Sequence, residues 1–167
     1  ASIHKSFNIT PNRKFEDLTG EAQHNLETRF KNVWLIIVDE VSMVGTEMLA
    51  KINDRCNQAK LNTNAKLKNL KGEIHFGGMG MILCGDFGQL IPIMQHTLMD
   101  DQIDPWKLNS TMNERFSRKG KSLFMLFQLV VILSKQYRQV GGSYTNICLK
   151  FRDATFSVDD HRILQTR

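Results

Sequence analysis

The sequence has few cysteines and no long hydrophobic run, and each absence narrows what the chain can be. Its three cysteines, Cys56, Cys84 and Cys148, are odd in number, far apart and in no C-x-x-C pair. This argues against both a disulfide framework and a zinc knuckle. The longest apolar stretch, residues 123 to 133, is interrupted by Gln128 and is too short to span a bilayer. Because the N-terminus also has no signal-peptide pattern, we expect a reducing, intracellular setting.

The composition is that of a folded, soluble protein. Hydrophobic residues make up 41% of the 167 residues and charged residues 23%, which is too apolar for a disordered chain. The formal net charge of +5 suits a polyanionic partner, although many basic proteins of this size bind no nucleic acid. The chain opens at Ala1 without a methionine, so we expect it to begin inside a longer protein.

Three apolar runs predict the strands of a sheet. The first, Val33 to Val38, is largely β-branched and has the pattern of a parallel strand buried on both faces. The second is Met79 to Cys84 and the third is Leu129 to Leu133. Helical segments separate the runs, so the predicted fold class is α/β with a mainly parallel sheet flanked by helices.

Helices are predicted from caps and apolar spacing. One begins after Thr19, and a second begins after Gly45, where Thr46 can serve as the cap. The predicted inward positions of these two helices are Ala22, Leu26 and Phe30 in the first, and Leu49, Ile52, Cys56 and Ala59 in the second. A final helix is predicted from Tyr144 to about Arg152. Residues 60–71 are predicted to be a solvated loop, and residues 95–120 to be loops with short helical turns.

Acidic residues follow the first apolar run directly. Asp39 and Glu40 end the sequence VWLIIVDE, which has the form of a Walker B element. In that element one carboxylate holds Mg²⁺, usually through water, and the next orients or deprotonates a water molecule. Acids after apolar runs are common, so this pair alone is weak evidence for catalysis.

The second run ends in Gly85-Asp86-Phe87-Gly88-Gln89-Leu90. We propose that the ends of the first two runs lie side by side, which places Gln89 on the loop beside Asp39 and Glu40. A neutral amide there can contact both a γ-phosphate and an attacking water. Considered alone, Gly-Asp-Phe-Gly is more often simply a turn.

Arg138 follows the third run and is a candidate arginine finger. Such an arginine stabilises the charge that develops on a transferred phosphoryl group. An isolated arginine after a strand is usually a surface charge, so the assignment depends on the other motifs.

Taken in order, the motifs resemble those of the Pif1-like helicases, a branch of superfamily 1. The matching segments run through the whole chain and are Ser2-Ile3-His4 with Phe7, DEVSM from Asp39, FGG from Phe76, GDFGQL from Gly85, QYRQ from Gln136, and FRDATFSVDDHRILQTR from Phe151. The resemblance implies an ATP-dependent, 5′-to-3′ DNA helicase that uses ATP and Mg²⁺ and acts on single-stranded and forked DNA. It also implies roles in DNA repair, recombination, telomere or replication maintenance, in the nucleus or the mitochondrion.

The resemblance implies a role for each matching residue. Asp39 would hold Mg²⁺, Glu40 would be the catalytic base, and Gln89 would sense the γ-phosphate. Arg138 would be the finger, and Asp39, Gln89 and Arg138 together would bind the nucleotide. Ser2 and His4 match the motif that contacts single-stranded DNA, where a hydroxyl and an imidazole can bond phosphate oxygens regardless of sequence; a loop histidine without a ligand is the other interpretation of His4.

The implied fold is an incomplete RecA-like P-loop NTPase domain. Residues 1–133 would form part of the first motor domain, and residues 134–167 would link into and begin the second. The chain contains no G-x-x-x-x-G-K-[ST] phosphate loop, because Gly120-Lys121-Ser122 lacks the earlier glycine and falls after GDFGQL. We therefore expect this fragment alone to bind ATP weakly and to hydrolyse none.

Two other functions remain open at this stage. A degenerate helicase remnant would only bind nucleic acid through its basic surface and would be inactive as an ATPase. A metal-dependent nuclease using Asp39, Glu40 and Asp86 would cleave DNA with Mg²⁺ and without ATP. The intact acids, Gln89 and Arg138 favour the helicase over both.

Overall fold

The first two apolar runs pair as parallel strands. The computed structural model of the chain describes residues 2–11, 13–61, 72–104, 111–135, 137 and 142–165. Strand β1 (Leu35–Val38) lies beside strand β2 (Gly80–Leu83), with Leu35 opposite Gly80 and Val38 opposite Leu83. The prediction that these two runs are neighbours is therefore confirmed, and their carboxyl ends lie at the same edge of the sheet.

The prediction that the first strand is buried on both faces is wrong. Ile36 and Val38 belong to the hydrophobic core, but Ile37 on the opposite face is 62% exposed, and Ile82 of β2 is also exposed. The part of the chain that the structure describes contains only this two-stranded sheet, with its core on one face. A continuous apolar run indicates cover on both faces only where elements exist to supply it.

Helix α2 (Gly20–Phe30) and helix α3 (Thr46–Leu61) confirm the first two predicted helices; the short helix α1 (Ile3–Ser6) precedes them. The predicted inward face of α3 is essentially inaccessible to solvent; Leu26 and Phe30 of α2 are also buried, whereas the predicted inward Ala22 is only half-buried. Thr46 is the first residue of α3 rather than its cap, and its hydroxyl donates to the carbonyl of His96 at 3.5 Å. The helix is therefore anchored at its start by a distant segment.

Helix α4 (Met112–Met125) corrects the prediction that residues 95–120 are loops with short helical turns. It begins in a capping box, in which Thr111 accepts from the Glu114 amide and Glu114 bonds back to the Thr111 amide. Its contact with α3 is made through small residues: Ser117 and Gly120 are buried, and a Cβ at Gly120 would overlap the carbonyl of Thr46. Apolar spacing did not reveal the helix because the first half of its buried face holds the small Ser117 and Gly120, whereas its buried Leu123 lies beyond residue 120.

The Phe76–Gly78 segment is a tight 3₁₀ turn that packs on α3. The Phe76 amide donates to Asn53 Oδ1 and the Gly77 amide donates to Asn57 Oδ1, both at 2.7 Å. Gly77 has φ of +63°, and a Cβ there would lie 2.5 Å from the Cys56 carbonyl oxygen. The FGG sequence is thus required for close approach of the turn to the helix, which sets where β2 begins.

By internal contacts the chain divides into two compact units, residues 1–128 and 129–167. The second contains helix α5 (Ser143–Arg152), which confirms the last predicted helix, and helix α6 (Val158–Gln165), which was not predicted. Asp160 joins them, because it accepts from Lys150 Nζ at 2.8 Å and from the Ser157 hydroxyl at 2.6 Å. That the two units belong to two motor domains, divided at residue 133, stays a prediction.

The third predicted strand is wrong. Residues 129–133 have no strand partner among the described residues, and their side chains are 75 to 90% exposed. The run has the composition of a buried strand but no paired neighbour, and unpaired backbone groups need a partner or water.

The predicted loop at 60–71 lies outside the described residues from position 62 onward. None of the described helices combines the length and apolar character that a bilayer crossing requires.

Candidate functional site

The segment after β1 and the segment after β2 are joined by backbone hydrogen bonds. The Cys84 amide donates to the Val38 carbonyl at 2.8 Å, and the Val41 amide donates to the Cys84 carbonyl at 2.9 Å. The ladder of the sheet therefore continues past both strand ends. Asp39 and Glu40 lie between the two bonded residues of the first segment, and the loop that carries Gln89 leaves immediately after Cys84.

Gly85 allows the two segments to approach so closely. Its φ is +146°, a backbone conformation that residues other than glycine rarely adopt. A Cβ at this position would lie 2.7 Å from the Val41 nitrogen. The same Cβ would lie 3.3 Å from the carbonyl carbon of Glu40. Any larger residue would separate the acidic pair from the Gln89 loop.

Glu40 has a strained backbone at the point where the acidic pair turns away from the sheet. Its φ and ψ of 53° and 48° are left-handed, and it precedes a 3₁₀ turn at Val41–Met43. Left-handed backbone costs a residue with a side chain roughly 1 to 2 kcal/mol and favours glycine, yet the position holds a carboxylate. The Glu40 amide donates to Asp39 Oδ1 at 2.9 Å, and both side chains are exposed. Two neighbouring carboxylates are thus presented to solvent, and one of them, Asp39, is held by a backbone hydrogen bond.

Asp86 shapes the loop that presents Gln89. Its carboxylate accepts from the Gly88 amide, and its carbonyl accepts from the Gln89 amide, both at 3.0 Å. Phe87 packs edge-to-face against Phe124 of α4, with ring centroids 5.9 Å apart. Asp86 therefore has a structural role as the organiser of a turn, and Gln89 lies exposed at the end of it.

A second attachment holds the far end of the same loop. Gly45 forms an isolated bridge with Thr97, and the Thr46 amide donates to the His96 carbonyl at 3.0 Å. Gln95 Oε1 accepts from the Met48 amide at 3.2 Å, which caps the first turn of α3. The acidic segment and the Gln89 loop are consequently joined at both ends. Sequence reasoning missed Gln95, because no short pattern marks a residue that caps a helix 47 positions away.

Ser42 lies two residues beyond Glu40, within the 3₁₀ turn. It is 5% exposed, and its hydroxyl has no hydrogen-bond partner among the described residues. Buried hydroxyls are normally bonded, so this one leaves an unmet polar group beside the acidic pair.

Of the three remaining predicted site residues, Ser2 and His4 lie within the described part of the chain and Arg138 does not. Arg138 lies outside the described residues, so its proximity to Glu40 and Gln89 is untested. Ser2 caps α1 by accepting from the Lys5 amide at 3.4 Å, and His4 is exposed on that helix. Arg29 of α2 holds the other end of α1 by donating to the carbonyls of Lys5 and Ser6 at 2.9 and 2.6 Å. α1 is therefore fixed to the domain while Ser2 and His4 face solvent.

The donor set after β1 fits Mg²⁺ only as part of a larger shell. No group of three or more histidine, cysteine, aspartate or glutamate side chains that could hold a metal ion is found within the described ranges. Mg²⁺ commonly keeps several waters and binds one or two carboxylates together with nucleotide phosphates, which matches a site such as Asp39.

Comparison with known proteins gives consistent matches. The model of a family described as PIF1-like helicase matches residues 1–158. The ATP-dependent DNA helicase PIF1 of Candida albicans is 28% identical over 153 residues, which cover 89% of this chain and 15% of that protein. The ATP-dependent DNA helicase PIF1 of Saccharomyces cerevisiae is 27% identical over 113 residues, which cover 68% of this chain and 10% of that protein. The chain thus spans a small part of these relatives.

Solved structures are similar over almost the whole chain. Bacteroides Pif1 bound to ssDNA matches with a TM-score of 0.58 and 20% identity, covering 98% of this chain and 35% of that one. The structure of two coordinating Pif1 helicases at forked dsDNA matches with a TM-score of 0.59 and 20% identity, covering 98% of this chain and 36% of that one. Bacteroides Pif1 in complex with ADP-AlF3 and ssDNA matches with a TM-score of 0.57 and 21% identity, covering 95% of this chain and 34% of that one. At this identity the likeness establishes the fold class that the sequence predicted, an incomplete RecA-like α/β domain.

Proposed function

This chain belongs to the PIF1-like helicase family, and from that premise we propose that it is part of an ATP-driven motor that moves 5′ to 3′ on single-stranded DNA and unwinds forked duplexes. One observation carries the proposal: the backbone of the acidic segment is bonded to that of the Gln89 loop at Val41 and Cys84 and again at Gly45 and Thr97. Nucleotide hydrolysis requires carboxylates that bind the metal and activate a water molecule, and a group that contacts the γ-phosphate. A carboxylate pair and an amide on two joined segments can supply these groups.

The proposed roles follow the chemistry of each side chain. Asp39 would hold Mg²⁺, and the ion would offset the negative charge of the nucleotide phosphates. Glu40 accepts a proton from the attacking water, and its left-handed backbone sets the direction in which its side chain leaves the chain. Gln89 donates its amide to the γ-phosphate without the repulsion that a carboxylate would suffer. Arg138 supplies positive charge to the transferred phosphoryl group.

The proposal separates the whole protein from this chain alone. Gly120-Lys121-Ser122 lies inside α4, where the backbone amides of the segment serve the helix, and the 167 residues contain no phosphate loop. Such a loop supplies most of the contacts to a triphosphate. We expect the isolated chain to bind ATP weakly and to hydrolyse none, and the whole helicase to show ATPase activity that DNA stimulates.

Single-stranded DNA is the proposed partner of α1. Ser2 and His4 are exposed on a helix that Arg29 fixes in place, and a hydroxyl and an imidazole bond phosphate oxygens without reading sequence. ATP-dependent closing and opening of two motor domains would then move the strand stepwise. Service in DNA repair, recombination, telomere or replication maintenance follows from the family and is proposed with it.

The test compares two glutamate substitutions in the whole helicase. Glu40→Gln keeps the size of the side chain and removes its basicity, so DNA-stimulated turnover should fall by at least about a thousandfold while nucleotide binding is retained. Glu73→Gln is the matched control, because Glu73 is exposed and away from both strand ends, and it should match the unaltered protein. Unchanged turnover in Glu40→Gln would contradict the proposal. ATP-independent nucleic-acid binding without any turnover in the unaltered protein would favour a degenerate remnant.

A further inference from the structure

A cleft of about 260 Å³ lies between residues 8–10 and 13–18 on one side and the middle of α3 on the other. Its polar lining includes Asn8, Thr10, Arg13, Lys14, Lys51 and Arg55. We propose that this cleft binds the phosphodiester backbone of single-stranded DNA as a second contact surface beyond Ser2 and His4. The inference rests on the proposed function and adds a site that the helicase motifs of the sequence do not include.

Arg55 forms a fixed wall of the cleft. It is 3% exposed, donates to the Glu16 carbonyl at 2.9 Å and to Gln58 Oε1 at 3.0 Å, and its guanidinium lies 4.2 Å from the centre of the Phe15 ring. These contacts fasten the segment that carries Arg13 and Lys14 to α3. The Nε atom of Arg55 is buried and has no partner among the described residues, so this positive group is not fully bonded within the domain.

The charge of the cleft is positive. Four basic side chains line it against two carboxylates, those of Glu16 and Asp17, and one of the four, Lys51, is already paired with Glu47 at 3.8 Å. Lys14 Nζ forms an ion pair with Glu16 Oε1 at 3.2 Å. Both side chains are about 70% exposed, so the pair is weak and is screened by salt. Among the described residues nothing pairs with the guanidinium of Arg13. An anion entering the cleft therefore meets at least one cation that it does not have to displace from a partner.

Neutral donors complete the lining. The Asn8 amide and the Thr10 hydroxyl are exposed and make no side-chain hydrogen bond within the described ranges. Asn8 has a left-handed backbone, with φ of +52°, a conformation that asparagine tolerates better than most residues. Arginine, lysine, asparagine and threonine are the side chains that bond phosphate and sugar oxygens without reading base sequence. The set fits a nucleic-acid backbone better than it fits a small apolar ligand.

The cleft continues directly from α1. The Ile9 amide donates to the His4 carbonyl at 2.9 Å, so the chain passes from the exposed His4 to the first residues of the cleft within one turn. A strand held by Ser2 and His4 can therefore reach Asn8 and Thr10 without leaving the surface.

A neighbouring cleft of about 290 Å³ shows what an unsuitable site looks like. It is lined by Asn8, Asn25, Glu21 and Arg29, among others. Its guanidinium is already bonded to the carbonyls of α1, and Glu21 opposes an anion. The difference in charge between two clefts of similar size singles out the one beside Arg55.

The experiment uses the 167-residue chain and a fluorescein-labelled single-stranded oligo-dT of about 20 nucleotides, with anisotropy measured from 50 to 200 mM salt. The test variant is Arg13→Ala with Lys14→Ala, which leaves the buried Arg55 untouched. It should bind about 5- to 20-fold more weakly at low salt, and its log K against log salt slope should be shallower by about 1 to 2. Arg13→Lys with Lys14→Arg should restore most of the affinity.

Two further variants make the outcome specific. Lys31→Ala removes one exposed charge from the far end of α2 and should change affinity by less than about twofold. Ser2→Ala with His4→Ala tests the DNA contact of the proposed function separately. If the Arg13/Lys14 variant binds as Lys31→Ala does while the Ser2/His4 variant is weakened, the cleft proposal is overturned and the proposed function is not. If the unaltered chain binds no oligonucleotide at 50 mM salt, the cleft proposal is also overturned, whereas the Glu40→Gln assay still decides the ATPase.

Discussion

The first and third apolar runs have nearly the same composition, but the first forms a strand that packs in the core and the third is exposed. Residues 33–38 are mostly Val and Ile, contribute strand β1 and place Ile36 and Val38 in the core. Residues 129–133 are also rich in Val, Leu and Ile, yet they are unpaired and at least 75% exposed. The comparison shows that β-branched, apolar sequence permits a strand, whereas a bonded neighbour and a packed helix determine whether it forms.

The largest expected effect comes from placing a charge in each run. Val38→Asp buries a carboxylate at a 4% exposed position and should cost more than about 3 kcal/mol, enough to unfold much of the chain. Val131→Asp is the matched change at a 75% exposed position and should alter stability by less than about 0.5 kcal/mol. Urea unfolding followed by circular dichroism measures both. Equal destabilisation by the two variants would break the comparison.

The next effect concerns the junction that follows the paired run. Gly85→Ala should cost about 2 to 4 kcal/mol, because its Cβ meets the Val41 backbone and its φ is unfavourable. Gly20→Ala is the control: φ there is +57° but no atom lies within 4 Å of the new Cβ, so only about 1 kcal/mol of backbone strain is expected. Thermal unfolding separates the two. A Gly85→Ala cost no larger than that at Gly20 would show that the segments do not touch.

A smaller effect tests the strained backbone of Glu40. Glu40→Gly should be more stable than Glu40→Ala by about 1 kcal/mol, because glycine adopts left-handed backbone without a steric penalty. At Glu27, inside α2, the order should reverse by a similar amount. Urea midpoints of the four variants supply the measurement, and the same order at both positions would contradict the left-handed conformation at Glu40.

The smallest effect lies in the second unit and depends on pH. The hydrogen bond from Lys150, followed by those from the Ser157 hydroxyl and amide, lowers the pKa of Asp160 from its ordinary 3.8 to about 2. Since the folded pKa is the lower one, the stabilisation is present above pH 3.8 and is lost as pH falls toward 2. Asp160→Asn should therefore be less stable than the unaltered chain at pH 6, and the difference should disappear as the pH falls through 2. Asp159→Asn, whose carboxylate is 83% exposed, should show little such change.

Much of the first unit could be predicted from sequence, and the failures have physical causes. α2 and α3 were found because Leu26, Phe30, Leu49 and Ile52 repeat at helical spacing and all reach the core. α4 was missed because the small Ser117 and Gly120 occupy the first half of its buried face and the buried Leu123 follows only later, although the Thr111-x-x-Glu114 capping box was a usable signal.

The site was predicted in part. The proposed site required the ends of the first two strands to lie side by side, and this is confirmed by the pairing of Val38 with Leu83. The left-handed Glu40, the close approach of Gly85 and the second attachment through Gln95 depend on tertiary contacts that no local pattern encodes. The roles of Asp39, Glu40, Gln89, Arg138, Ser2 and His4 stay predictions.

The most direct test of the central claim, that the two joined segments act on one phosphate, is a double-mutant cycle on single-turnover ATP hydrolysis by the whole helicase. Gln89→Ala alone should slow hydrolysis roughly a hundredfold. In a Glu40→Gln background the same change should slow it by no more than about threefold, because residues that act as a unit are not additive. A full hundredfold loss in both backgrounds would mean that Glu40 and Gln89 act independently, and would contradict the account.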